Sequence, residues 1–281
     1  MYESAFVSSL KKREEVILIK NNEINKIANE CLALEENSLP PLKMIKKIGS
    51  YSNEHFKKGM SSIFQEIATR CKIDSGKHVV DLGCGVGRLA IPFSKLINQD
   101  GRFYGIDVWE DGIQWCKKNL ADNSNISFHH LHAKDNYYFD SELKKEDNNF
   151  RIPFIPSSSI DLFYAISVFT HLRETDCQSY FNEINRVLKK EGVAYITCFI
   201  IDEFFFDFQK RTGKFQSIKE EEKGCYYGYK KQDYFAGFTM KKFKKMLKKA
   251  NLKIISYELG SWADKISSSK YQDRFFIQKR K

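Results

Sequence analysis

The sequence has little proline, no paired-cysteine motif and no long hydrophobic run. Five prolines and 15 glycines among 281 residues, beside 42% apolar and 29% charged residues, exclude a collagen-like or disordered chain. No apolar stretch approaches the ~20 residues that cross a bilayer. The longest, around Tyr195–Ile201 and Phe204–Phe206, are short or broken by acids. The opening MYESAFVSSLKKREE carries its charge after a weak apolar patch, so no secretory segment is expected. The seven cysteines are scattered, odd in number and without a C-x-x-C pair, which argues against a disulfide framework or zinc knuckle. A reducing cytoplasm is the expected setting.

Acidic balance is also lacking: the formal charge is +10. That excess suits a polyanion partner, but equally a lysine-rich surface that is simply solvated. The basic residues form no arm and no stripe interleaved with aromatics, so nucleic acid is the less favoured partner. The densest run, Lys241–Lys249, accounts for itself. Thr239 can cap a helix in which Met240, Phe243, Met246, Leu247 and Ala250 share one face and the lysines take the other.

Periodicity divides the chain. Residues 5–36 read as one or two amphipathic helices ended by Pro40-Pro41, and Asn53–Cys71 as another helix. From Lys77 strand and helix signals alternate. Strands are expected at His78–Leu82, Arg102–Val108, Ile126–Ala133, Ile160–Val168, Val193–Ile201, Lys253–Leu259 and Arg274–Lys279. Helices are expected at Arg88–Ile97, Asp111–Leu120, Glu174–Lys189 (stopped by Gly192) and Thr239–Ala250, with Pro92 kinking or restarting the first. Asp202–Phe238 reads as an irregular insertion rich in Phe and Tyr. Apolar strands joined by helices imply a doubly wound α/β fold whose sheet is covered on both sides. The expected organisation is a helical N-terminal extension over residues 1–72 and one domain over 73–281, with the aromatic insertion at about 202–238.

The informative stretch is Val79-Val80-Asp81-Leu82-Gly83-Cys84-Gly85-Val86-Gly87-Arg88. A strand runs into three alternate glycines and then into a helix, whose first N–H groups and positive dipole end favour a negative group. Twenty residues after Gly87, Asp107 ends the next strand, where a carboxylate can accept both hydroxyls of an adenosine ribose. The spacing is G-x-G-x-G rather than G-x-G-x-x-G, and Asp81 lies two positions before the first glycine. That carboxylate would repel a pyrophosphate but suits an ammonium group. A sulfonium amino acid joined to adenosine fits both ends.

On these residues the sequence resembles the class I S-adenosylmethionine-dependent methyltransferases, over about Lys77 to Ile201. VVDLGCGVGRLA is similar to the first family motif and GIDVWEDGIQWCKKN to the second. SSIDLFYAISVFTHL and EINRVLKKEGVAYIT match the fourth- and fifth-strand segments, in family order. The chain also resembles a bacterial group of general methyltransferases in Ile48-Gly49, His55-Phe56, Gly59-Met60, the SVFTH sequence, Gly260-Ser261-Trp262 and Tyr271-Gln272-Asp273. The resemblance implies a Rossmann-like, mostly parallel seven-stranded sheet of order 3-2-1-4-5-7-6 with its last strand antiparallel. It implies S-adenosyl-L-methionine as cofactor and S-adenosyl-L-homocysteine as product. Gly83, Cys84, Gly85, Gly87 and Arg88 would form the methionyl loop, Asp81 would meet the amino group and Asp107 the ribose. Val108 and Trp109 would flank the adenine. Ser167 and Val168 would face the sulfonium through backbone. The third strand departs from the family's acid-small ending and has His132-Ala133, with His132 or Asp135 left to meet the adenine.

Plainer roles stand beside these. The glycines can be a tight turn, Asp81 a helix cap, His132 a buried structural histidine and Cys84 a small filler. Arg88 can bind a carboxylate or sit exposed in a first turn. Methyl transfer is an in-line displacement that mainly needs alignment in a water-poor pocket, and a base only for a protonated nucleophile. His171, three residues past the fourth strand, is the candidate base, with capping or packing as its alternative. Tyr51, His55, Phe169 and Tyr138 are candidate acceptor contacts. The turn S-V-F-T-H lacks the N-P-P-Y pattern of amide and base-amine methylation, a Pro-Cys nucleophile and the acids of metal-dependent enzymes. A metal-free transfer to oxygen or nitrogen of a small molecule, sugar or lipid-like acceptor remains. RNA modification and a non-catalytic scaffold are the alternatives, and a monomer or homodimer is expected. The aromatic insertion is read as a lid or acceptor wall, a dimer face, or local core.

Overall fold

The computed structural model describes residues 20–121, 124–131, 151–230, 233–265 and 270–281. The chain opens with a helix over 20–32 (α1), followed by α2 (Leu42–Lys47) and α3 (Asn53–Arg70). Ser52 caps α3, its hydroxyl accepting from the His55 N–H at 3.1 Å. Of the expected helix over 5–36, residues up to 19 lie outside the described ones.

The alternating region then lays down β1 (His78–Leu82), α4 (Ala90–Leu96), β2 (Arg102–Asp107), α5 (Glu110–Leu120), β3 (Ile126–His130), β4 (Ile160–Ala165), α6 (Glu174–Val187) and β5 (Leu188–Cys198). The C-terminal part adds β6 (Ile200–Ile201), α7 (Glu203–Thr212), β7 (Lys219–Glu222), β8 (Cys225–Lys230), β9 (Asp233–Thr239), α8 (Met240–Lys249), β10 (Leu252–Glu258) and β11 (Asp273–Lys279). The main sheet runs β3-β2-β1-β4-β5-β11-β10. β4 pairs in parallel with β1 and β5, while β11 runs antiparallel to both β5 and β10. This is the expected order, with the last strand of the chain inserted in reverse.

Contacts sort the chain into two compact units. The first joins residues up to Lys77 with Cys84–Gly105 and Asp111–Phe128. Its core is a file of rings in which Phe64, Phe93, Phe103 and Phe128 meet successively at 5.2, 5.7 and 6.3 Å. The second holds His78–Gly83, Ile106–Glu110 and the chain from His129 onward. There β1 and β4 are buried almost throughout, as strands covered on both faces must be. Among the described residues no helix is long and apolar enough to cross a membrane.

Three expectations need correction. The helix expected from Arg88 begins at Ala90, so Pro92 falls in its first turn, where the missing N–H has no partner to lose. The helix expected to reach Lys189 ends at Val187, and Leu188 is already extended at φ −60, ψ 140. Gly192 lies within β5, where an added Cβ would meet the Ile160 carbonyl at 2.7 Å, so it serves strand contact rather than helix termination.

The third correction is the insertion. It is not irregular: it forms α7 and the strands β7, β8 and β9, which join β6 in a small sheet of order β6-β9-β8-β7. Asp202 caps α7 by accepting from the Phe205 N–H, and Gly213 ends it at φ +67. Phe199, Phe205, Phe208, Phe215, Phe235 and Trp262 gather into one buried cluster. The aromatics therefore form local core first of all, though Phe204, Phe206 and Tyr229 stay exposed. The insertion also steadies α6, which has no side-chain cap from Arg173. The Glu174 N–H donates to the Tyr227 hydroxyl at 2.9 Å instead.

Candidate functional site

β1 delivers Asp81, and β2 delivers Asp107; both carboxylates are buried, at 5% and 8% exposure. Right after β1 the chain turns at Gly83, with φ +81, and its N–H donates to the Ile106 carbonyl at 2.8 Å. An added Cβ there would overlap Val168 Cγ2. Asp107 is held where its strand ends: Oδ1 accepts from the Trp109 N–H at 2.8 Å. The Asp107 carbonyl accepts from Leu131 N–H at 2.9 Å, and the Val108 carbonyl lies 3.0 Å from His130 Nε2. A carbonyl only accepts, so His130 Nε2 carries a proton in this contact. The segment Asp107–Trp109 is thereby pinned at successive residues.

The rest of the loop belongs to the first unit. Gly85 and Gly87 also take positive φ, +55 and +72. A Cβ on Gly85 would lie 2.9 Å from Ile48 Cγ2, and one on Gly87 would lie 2.6 Å from Leu120 Cδ1. Cys84 is buried, as the small-filler reading requires. Arg88 does not sit free in a first turn. Its Nη2 donates to the Ile48 carbonyl at 2.9 Å and to Ser50 Oγ at 3.1 Å, and its guanidinium lies over Phe56 at 5.4 Å. The Ile48-Gly49 segment, noted in the sequence only as a lead-in, is thus tied to the glycine loop through Arg88.

At the carboxyl end of β4, Ser167 is exposed and left-handed at φ +60, which is uncommon without glycine. Its N–H donates to Thr197 Oγ1 at 2.8 Å, and its hydroxyl donates to Gln272 Oε1 at 3.1 Å. Thr197 Oγ1 donates to the same Gln272 oxygen at 2.6 Å. Beyond the turn, His171 N–H donates to the Val168 carbonyl at 3.0 Å and its Nδ1 contacts the Tyr234 carbonyl at 2.7 Å. A carbonyl only accepts, so Nδ1 carries a proton in this contact.

The remaining expected residues divide. Phe169 is wholly buried and stacks on Phe181 at 4.9 Å, a packing position in this structure. Tyr51 is 73% exposed and stacks on His55 at 4.1 Å, and His55 Nδ1 is buried with no hydrogen-bond partner. His132, Ala133, Asp135 and Tyr138 lie outside the described residues. Among the described residues one group has metal-ligand character: Glu174, Glu222 and Cys225 bring ligand atoms within 4.8 Å of one another. Lys242 Nζ already pairs with Glu174 there, supplying the positive charge.

Three residues important to this geometry went unassigned in the sequence: His130, Thr197 and Gln272. Only Gln272 carried a signal, as part of Tyr271-Gln272-Asp273. Nothing local marks a threonine inside β5 as a partner of a turn thirty residues earlier.

A family model for the methyltransferase domain matches residues 73–251. Among curated proteins, a 23S rRNA (uracil(1939)-C(5))-methyltransferase of Acinetobacter baylyi is 33% identical over 60 residues, 21% of this chain and 13% of that protein. The chain spans between 13% and 48% of the length of three curated relatives that it matches. Among solved structures, a SAM-dependent methyltransferase from Leishmania major superposes with a TM-score of 0.55 at 12% identity, covering 92% of this chain and 83% of that one. The 1,6-didemethyltoxoflavin-N1-methyltransferase of Burkholderia thailandensis, solved with S-adenosylhomocysteine, gives 0.50 at 14% identity, covering 85% and 84%. Likeness at such identity speaks for the fold. With the motif loop and the reversed last strand, the domain match identifies this chain as a member of the methyltransferase-domain family, of the class I, S-adenosylmethionine-dependent type.

Proposed function

We propose that residues 73–281 act as one catalytic domain, with residues 1–72 as its N-terminal extension. In this reading the domain moves the methyl group of S-adenosylmethionine to an oxygen or nitrogen of a small-molecule, sugar or lipid-like acceptor, without a metal. The observation that carries the reading is the pair of buried carboxylates, Asp81 and Asp107, at the ends of consecutive strands, with left-handed Gly83 following the first. A carboxylate in a poorly solvated place favours a cationic or donating ligand and disfavours an anionic one. In this reading an ammonium group lies near Asp81 and a ribose diol, which can donate, near Asp107. A pyrophosphate beside either carboxylate would be repelled.

S-adenosylmethionine supplies a methyl group made electrophilic by its sulfonium; the other tasks fall to the chain. The pinned segment Asp107–Trp109 would hold the ribose at one distance, since Asp107 Oδ1 is already oriented by the Trp109 N–H. Trp109, itself buried, would help keep the adenine side dry. Ser167 and Val168 would line the methyl path with main chain. His171, whose Nδ1 meets the Tyr234 carbonyl, would serve as the base for a hydroxyl acceptor through Nε2.

The test is thermal unfolding with S-adenosylmethionine and with S-adenosylhomocysteine. At about 100 times Kd, binding to the native state alone adds about 2.7 kcal/mol, a rise of roughly 5–10 °C. Asp107→Ala should abolish the rise. No shift of wild type with either compound overturns the reading. A metabolite screen for methyl uptake then addresses the acceptor, and methyl uptake into RNA with steep salt dependence would replace the small-molecule acceptor by a nucleic acid.

A further inference from the structure

The Tyr271-Gln272-Asp273 segment is left without a role by the cofactor site, yet it reaches the place where methyl transfer would occur. We infer that Gln272 is a positioning residue for that transfer: its side-chain oxygen holds Ser167 in the left-handed turn that sets the carboxyl end of β4. The inference rests on the function proposed above.

The geometry converges on one atom. Gln272 Oε1 accepts from both Ser167 Oγ, at 3.1 Å, and Thr197 Oγ1, at 2.6 Å. Thr197 Oγ1 spends its proton on Gln272 and uses its lone pair for the Ser167 N–H, at 2.8 Å. Ser167 is thus gripped at hydroxyl and amide together. The Ser167 carbonyl in turn accepts from Thr170 Oγ1 at 3.0 Å. A non-glycine residue in the left-handed region persists only where its surroundings over-determine it, and three side chains do so here.

What the turn sets is functional in place. The next residue, Val168, packs so closely on Gly83 that a Cβ there would overlap it. The Val168 carbonyl then receives the His171 N–H at 3.0 Å. One turn therefore fixes the wall beside the donor loop and the approach of the candidate base. Gln272 itself is anchored by its neighbour: Asp273, wholly buried, accepts from the Ile200 N–H at 2.7 Å and the Gly260 N–H at 2.8 Å.

The experiment is a double-mutant cycle with Gln272→Met and Ser167→Gly. Methionine keeps the length of glutamine and removes the accepting oxygen; glycine takes positive φ at no steric cost. S-adenosylhomocysteine affinity is read by calorimetry, and the turn by the Ser167 Cα and Cβ chemical shifts. Gln272→Met should weaken binding about tenfold and move the Ser167 shifts away from left-handed values. In the Ser167→Gly background the same substitution should cost less than about threefold, because glycine needs no clamp. Equal losses in both backgrounds, or left-handed Ser167 shifts in Gln272→Met, overturn the inference. If Gln272→Met does not fold, Thr197→Val takes its place with the same expected pattern. Failure of wild type to bind the nucleoside overturns the proposed function itself, and this inference with it. Binding by wild type with additive losses overturns the inference alone.

Discussion

At the residue scale, the glycines of the motif are required by the protein as much as by any ligand. Gly87 takes φ +72, and an added Cβ would lie 2.6 Å from Leu120 Cδ1 and 3.1 Å from Cys116 Sγ. Alanine there pays for the left-handed backbone and must also push aside α5. Gly87→Ala is expected to cost about 1–3 kcal/mol, read as a lower urea midpoint. Gly59 gives the contrast. It lies inside α3, at ordinary φ, and a Cβ would touch only Arg88 Nη1 at 3.6 Å. Gly59→Ala should stabilise by roughly 0.5–1 kcal/mol, because alanine loses less backbone freedom in a helix. Equal effects at the two sites would show that left-handed geometry is not what Gly87 supplies. The acidic residues were readable for a related reason: Asp81 and Asp107 sit at strand ends that the apolar runs announce. His130, Thr197 and Gln272 act through partners distant in sequence, and no local pattern reports that.

At the element scale, the start of α6 joins the helix to the insertion. Lys242 of α8 and Cys225 of β8 both reach the Glu174 carboxylate, while Tyr227 of β8 accepts the first helical N–H. Burial pushes the Glu174 carboxyl up, but the hydrogen bonds from Lys242 and Cys225 outweigh it and hold the carboxyl below its usual range. Burial opposes the Lys242 charge as well, and the bond to Glu174 raises it above its usual value nonetheless. The two signs define a window. A depressed carboxyl contributes stability above its unfolded value, near ~4.3, and loses it as pH falls through the lower folded value. A raised ammonium contributes below its unfolded value, near ~10.4, and loses it as pH rises through the higher folded value. Glu174→Gln should therefore cost about 1–3 kcal/mol at pH 7. In urea unfolding the difference from wild type should shrink as pH falls below ~4. A constant difference down to pH ~3 would show that charge is not what the pair contributes. The sequence announced α8 through Thr239 and its apolar face, and β5 through its buried run. It concealed α7 and the small sheet because aromatic density there is set by a cluster whose members, Phe199 to Trp262, come from separate segments.

At the scale of the whole chain, a net charge of +10 and a lysine wholly buried among acids are different kinds of fact. The surface lysines are solvated, whereas Lys265 bears on how β11 holds the insertion. Its ammonium lies 2.6 Å from the Ile200 carbonyl, 3.0 Å from Asp202 Oδ2 and 3.2 Å from Asp273 Oδ2. Asp273 also accepts from Trp262 Nε1 at 2.9 Å, so the main sheet, the cap of α7 and the aromatic cluster share one polar centre. Such a centre is costly to half-remove. Asp273→Asn keeps the shape but withdraws a charge and places an amide N–H₂ among four donors, so a buried ammonium loses part of its compensation. The expected loss is about 3–5 kcal/mol, seen as a melting midpoint lower by several degrees. Lys265→Met, which removes the buried cation and leaves Asp273 with its three N–H partners, should cost less. A double mutant should recover part of the loss of Asp273→Asn, because no uncompensated ammonium remains. If instead the two losses simply add, Asp273 and Lys265 hold the insertion to the sheet through their separate hydrogen bonds, with no coupling between the charges.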